Sequence, residues 1–256
     1  MSAGTTDAGR LRGRPTRIPF AVARADLHRS QKPGHGVPAY LRWVNRRLGR
    51  QLAAAAAALG LTPAAVTLIS GAVSLIGIVV ILVAPLGILW TSLAAALFLL
   101  GYALDSADGQ LARLTGSSSA AGEWLDHVVD AIRQPAIHLA IAVALLRTEG
   151  FAPAAVLALL FALVSSGWFF AQILAEQLGV PAPKGSGESP AWMSFAKLPL
   201  DTAFLYFLIP LLALPLLFSL AYGALLVLTA GVAVLSMTRK YAALSRGAAR
   251  QPEATP

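Results

Sequence analysis

Between residues 63 and 241 the chain is a succession of apolar runs, each about twenty residues long, enough to cross the ~30 Å hydrocarbon core of a bilayer as a helix. A backbone in hydrocarbon has to satisfy its own hydrogen bonds, so runs of this length with no strand-like alternation imply an all-α, polytopic bundle. The runs fall near 63–83, 86–105, 123–146, 152–175, 198–217 and 222–241, which predicts six transmembrane helices. One acidic stretch interrupts them. Residues 105–130 read DSADGQLARLTGSSSAAGEWLDHVVD and hold five carboxylates between the second and third runs. An Asp at mid-helix in a membrane costs roughly 2.5 to 3.5 kcal/mol, so a cluster at the membrane boundary implies compensation by cations or by function.

The spacing narrows the choice. Asp105 and Asp108 are three apart, and Asp126 and Asp130 four apart, so each pair projects from one helical face, with Gly109 and Ala112 beside the first pair. Two such helices facing each other surround one point with four carboxylates. Their mutual repulsion calls for a cation, and an all-oxygen donor set suits Mg²⁺ or Mn²⁺. A salt-bridged hairpin is the plainer alternative, but only Arg113 and Arg133 lie nearby to pair with five acids. Gly109 and Gly122 let a bulky ligand approach the backbone, and Arg113 offers a planar fork to phosphate oxygens. Gly122 also falls where the next helix begins, so its N–H is expected to be free for a pyrophosphate.

Asp105, Asp108, Gly109, Ala112, Arg113, Gly122, Asp126 and Asp130 together fall on the pattern D-x2-D-G-x2-A-R-x8-G-x3-D-x3-D, which resembles the signature of the CDP-alcohol phosphotransferases. The phrase LTPAAVTLIS from Leu61 also resembles the start of that family's first transmembrane helix. The resemblance covers roughly residues 61–237. It implies transfer of a substituted phosphate from a CDP-linked donor to a hydroxyl, with release of CMP. In that reading Asp105, Asp108, Asp126 and Asp130 hold two divalent cations, and Asp130 is also the general base. Asp108, Gly109, Ala112, Arg113 and Gly122 then line the CDP site. Similarity to bacterial phospholipid synthases makes CDP-diacylglycerol the expected donor and a polar alcohol the acceptor. The reverse, a CDP-linked polar alcohol with a lipid acceptor, uses the same motif. A homodimer is possible in this reading. An intramembrane prenyltransferase would need Asn-Asp-x-x-Asp motifs that are missing, and an acidic transporter site would not call for these glycines and Arg113.

Only 12% of residues are charged, against about 25% in soluble domains. The net charge of +8 comes from basic residues flanking apolar runs rather than from aromatic-interleaved patches, so anionic lipid is the expected counter-charge and nucleic acid is not a partner. There is no cysteine, hence no disulfide or thiolate ligand. The Lys and Arg residues concentrate before residue 51 and in alternate loops, which puts both termini and the acidic motif on the cytoplasmic side of the cell membrane.

Residues 1–38 are rich in Gly, Pro and Arg without periodicity and are expected to be a disordered basic arm with no signal-peptide core. Residues 39–60 read as an interfacial amphipathic helix, with Leu41, Val44, Leu48 and Leu52 opposite Arg42, Arg46 and Arg50. Thr62 and Pro63 mark a helix restart. Residues 61–243 form the six-helix domain, residues 178–194 an irregular loop, and residues 244–256 a flexible tail. Lys197 and Asp201 are spaced for an ion pair, with a phosphate as the alternative partner of Lys197.

The third run is the least lipid-like, turning Asp126, His127, Asp130, Arg133, Gln134 and His138 to one side. Arg133 lies one turn beyond Asp130 and has two possible anions. It can pair with Asp130, or it can grip a phosphate on the acceptor, which is the reading preferred on sequence, with Gln134 and His138 completing the acceptor pocket. His138 as a hydrogen-bonded core histidine is the plainer alternative.

Overall fold

The first membrane helix starts where its caps dictate. Thr62 Oγ1 accepts from the Ala65 N–H at 3.1 Å and Pro63 occupies the first turn, so α3 runs Pro63–Val83. In the computed structural model residues 17–29, 36–180 and 190–248 are described, and all regular structure among them is helical. The other elements are α1 (Phe20–Arg29), α2 (Arg46–Leu59), α4 (Ile88–Thr115), α5 (Ala120–Leu146), α6 (Ala155–Gln177), α7 (Ala191–Ala196), α8 (Thr202–Leu208) and α9 (Pro215–Ala248). Five of the described helices, α3, α4, α5, α6 and α9, are long and apolar enough to cross a membrane.

The expected fifth span, 198–217, is corrected. It is a 3-10 turn (Leu198–Leu200), the short α8, and a second 3-10 stretch (Ile209–Ala213). Pro199, Pro210 and Pro215 each remove a backbone donor and prevent one continuous helix. The segment still descends beside α4. Its start is tied to α4 by the Tyr102 hydroxyl on Asp201. Near its end Thr91 Oγ1 bonds the Pro210 carbonyl at 3.2 Å. Tyr102 and Thr91 are separated by about 16 Å of helix, so the broken segment traverses the middle of the bundle.

The basic arm is corrected in part: Phe20–Arg29 is helical, and it buries Ala23 and Leu27 against the alanine face of α2. Residues 1–16 and 30–35 of the arm, 181–189 of the expected loop and 249–256 of the expected tail lie outside the described residues. The loop's far end holds α7, and the helix expected to stop near residue 243 continues to Ala248.

The amphipathic segment begins with one π-helical turn (Leu41–Asn45) and continues as α2. Its Gly49, Ala53, Ala54 and Ala57 face inward while Val44 and Leu48 stay exposed. A methyl at Gly49 would lie 2.8 Å from Gln110 Nε2, so α2 rests directly on the stretch of α4 that carries the acidic motif. The main core, built on Phe98, Ile141, Tyr206, Ile209, Phe218 and Tyr222, fills the bundle between α3, α4, α5, α6, α8 and α9.

Candidate active site

A four-residue turn brings the two halves of the acidic stretch face to face. Gly116 ends α4 in the left-handed region at φ 62°, with the Ser117 N–H on the Ala112 carbonyl at 3.0 Å. Ser119 then caps α5. Asp105 of α4 therefore meets Asp126 and Asp130 of α5, and one oxygen of each lies within 4.8 Å of the other two. Among the described residues this is the one group of three or more acidic or His side chains arranged to hold a metal ion.

Arg133 closes the cluster. Its Nη2 donates to Asp105 Oδ1 at 2.9 Å and to Asp130 Oδ1, and its Nη1 donates to Ser70 Oγ at 3.1 Å. Ser70 in turn donates to the Gly101 carbonyl at 2.8 Å. That bond needs close helices: a methyl at Gly101 would stand 2.3 Å from Ser74 Oγ and 3.3 Å from the Ser70 carbonyl oxygen. Small residues on α3 and α4 thus let Ser70 sit against the α4 backbone while it accepts from Arg133. Of the two partners open to Arg133 on sequence, the structure shows Asp130, with Asp105 beside it.

The other predicted residues divide. Asp108 is buried and is not one of the three clustered carboxylates, though it lies within electrostatic reach of Asp105 and Asp126. Its Oδ2 accepts from Thr67 Oγ1 at 2.6 Å and its Oδ1 from the Gly109 N–H. Arg113 is exposed and lies over Gly109, where a methyl would meet its Nη1 at 3.4 Å. Ala112 is half-buried on the same end of α4. The expected free N–H of Gly122 is corrected, because it donates to Ser119 Oγ at 3.1 Å as the helix cap. Gln134 and His138 are not part of the cluster and line a cavity of about 240 Å³ between α5, α6, α8 and α9. His138 is a core residue whose Nδ1 bonds the Tyr222 hydroxyl at 2.6 Å and whose ring stacks on Phe161. The expected Lys197–Asp201 pair is also corrected. Lys197 Nζ donates to the Gly36 carbonyl at 3.1 Å, and Asp201 accepts the N–H groups of Leu41 at 2.9 Å and Ala203 at 3.0 Å. Asp201 caps α8 and ties it to the π turn, so its carboxylate is met by two backbone N–H groups and the Tyr102 hydroxyl.

Three contributors went unread in the sequence. Thr67 and Ser70 of α3 hold Asp108 and Arg133, and with Ser74 they form a small-polar stripe at spacings of three and four in an apolar helix, a signal that was available. Arg46 of α2 sits beside Arg113. Burial first, then the Arg113 charge, lowers its pKa, so two cations lie close together at this end of α4.

The donor set fits a hard divalent cation. Asp126 Oδ1 is buried with no hydrogen-bond partner among the described residues, an oxygen that a metal would satisfy. Comparison with individually curated proteins gives no match. The family model for CDP-alcohol phosphatidyltransferases matches residues 60–236, more than half the chain and all of the carboxylate motif, so the chain belongs to that family, which transfers a substituted phosphate from a CDP-alcohol to an alcohol.

Proposed function

We propose that the chain is a phospholipid-synthesising enzyme of the cell membrane that moves a phosphatidyl group from CDP-diacylglycerol to the hydroxyl of a polar alcohol and releases CMP. The observation that carries this reading is the convergence of Asp105, Asp126 and Asp130 from two helices onto one point, with Gly109 one turn and Arg113 about two turns further along α4. Asp105, Asp126 and Asp130, with Asp108 close by on α4, are the residues that would hold two Mg²⁺ or Mn²⁺ ions. When bound, such ions neutralise charge on the pyrophosphate and on the departing CMP.

The chain's own residues supply the rest. Asp130 accepts the proton of the acceptor hydroxyl as that oxygen bonds the β-phosphorus, and the phosphorus–oxygen bond to CMP breaks. Arg133, anchored by Ser70, orients the Asp130 and Asp105 carboxylates. Gly109 and Ala112 leave room for the cytidine diphosphate, and Arg113 with Arg46 faces its phosphate oxygens. The basic residues ahead of residue 51 and those near the ends of α4 and α9 favour a cytoplasmic site, where a water-soluble nucleotide leaves readily.

Donor identity is tested with purified protein in nanodiscs containing Mg²⁺, supplied with CDP-diacylglycerol plus polar alcohols or with CDP-linked polar alcohols plus diacylglycerol. The reading predicts CMP and a new phospholipid from the first mixture. Product only from the second assigns the CDP to the polar alcohol instead.

A further inference from the structure

The cavity between α5, α6, α8 and α9 begins one helical turn beyond Asp130, at Gln134, and Tyr206 is among the residues that line it. Tyr206 is fully buried and within electrostatic reach of Arg133, Asp130 and Asp105. The lining is mostly aromatic and aliphatic, with neutral polar groups from Gln134, Ser165, Thr202 and Thr229. Trp168 adds something a closed core would not leave. Its Nε1 is buried and has no hydrogen-bond partner among the described residues. A buried donor left unmade costs about 1 to 3 kcal/mol, so the cavity is short of one acceptor atom. A hydrocarbon chain could fill the space but would leave that N–H unpaired.

Charge decides the class of ligand. Among the described residues no Lys or Arg lines the cavity, and the one acidic residue among them that does is the buried Asp201. Arg133 points the other way, towards Ser70 of α3 and Asp105 of α4, and Lys197 is bonded to the Gly36 carbonyl. A phosphate placed here would lose its hydration beside a carboxylate with no cation to meet it, a cost of several kcal/mol per ion.

Building on the donor assignment above, we infer that this cavity is the acceptor subsite and that it takes an alcohol carrying no anionic group. An uncharged polyol or amino alcohol hydrogen-bonds to Trp168 Nε1, Gln134 and Thr229 and presents its hydroxyl past Tyr206 to Asp130. This reverses the preference for a phosphorylated acceptor that Arg133 suggested on sequence.

The test uses the full chain in nanodiscs with CDP-diacylglycerol, Mg²⁺ and matched pairs of acceptors: glycerol against glycerol phosphate, inositol against inositol phosphate, and ethanolamine against phosphoethanolamine. The unphosphorylated member should be used at least tenfold faster in one or more pairs. Faster use of the phosphorylated member overturns the inference while the donor assignment stands. CMP release with neither member of any pair overturns both. Trp168→Phe keeps the ring but removes the orphan donor, and Thr229→Val keeps the shape but removes the hydroxyl. Each should raise the acceptor KM about three- to tenfold with the donor KM unchanged. An unchanged acceptor KM in both variants would remove the cavity from the acceptor path.

Discussion

Removing Arg133 should expose the cation site through stability alone. Arg133 is 6% exposed and holds both Asp105 and Asp130, so Arg133→Ala leaves two carboxylates facing each other without a counter-charge. Breaking a buried ion pair from one side costs about 3 to 5 kcal/mol. At roughly 2 to 4 °C per kcal/mol for a chain of this size, the variant should melt about 6 to 20 °C below the wild type in chelator. Mg²⁺ then acts unequally on the two proteins. In the variant it meets bare carboxylates, and at a hundredfold excess over its dissociation constant it restores about 2.7 kcal/mol. In the wild type it competes with the guanidinium, so the gain is smaller. The assay is thermal unfolding followed by intrinsic fluorescence in nanodiscs, with EDTA and across an Mg²⁺ titration. Arg133→Lys, which keeps the charge but not the fork, should fall between. Equal Mg²⁺-induced shifts in wild type and Arg133→Ala would refute the placement of the cation among these carboxylates.

Two further predictions concern the frame around the site. Gly101→Ala should cost about 1 to 3 kcal/mol by forcing α3 and α4 apart at Ser74, and adding Ser74→Ala should recover most of it. A double variant no more stable than the single, in the same unfolding assay, would show that the helix contact is not what Gly101 serves. Because the chain has no cysteine, Glu149→Cys and Ser245→Cys can be labelled without background. An impermeant maleimide added to intact cells should reach residue 149 and not residue 245, and the opposite pattern would invert the topology.

The parts of this molecule that obey local rules were readable in its sequence. The Thr62–Pro63 restart fixed the start of α3, and three carboxylates at helical spacing on facing segments did converge. What escaped reading depends on tertiary partners. Nothing local says that the proline-broken segment after Leu198 runs down α4, because that is decided by Tyr102 and Thr91 meeting Asp201 and Pro210. Periodicity could not see α1, whose short apolar face has value only once the alanines of α2 cover it. Arg133 had two chemically reasonable anions, and its contact with Asp130 is backed by Ser70 of a different helix, one small hydroxyl in an apolar run that no local pattern ties to it. The Gly122 N–H is not free because a neighbouring serine supplies the acceptor that a ligand was expected to supply.

The central claim is that Asp130 is the base in a transfer whose metal and donor are held by its neighbours, and Asp130→Asn separates those roles. With CDP-diacylglycerol, Mn²⁺ and an accepted alcohol, the variant should release CMP at less than a hundredth of the wild-type rate, the scale of a lost general base. Calorimetry on the same sample should still record binding of Mn²⁺ and of the CDP-linked donor. Wild-type CMP release by Asp130→Asn would contradict the account.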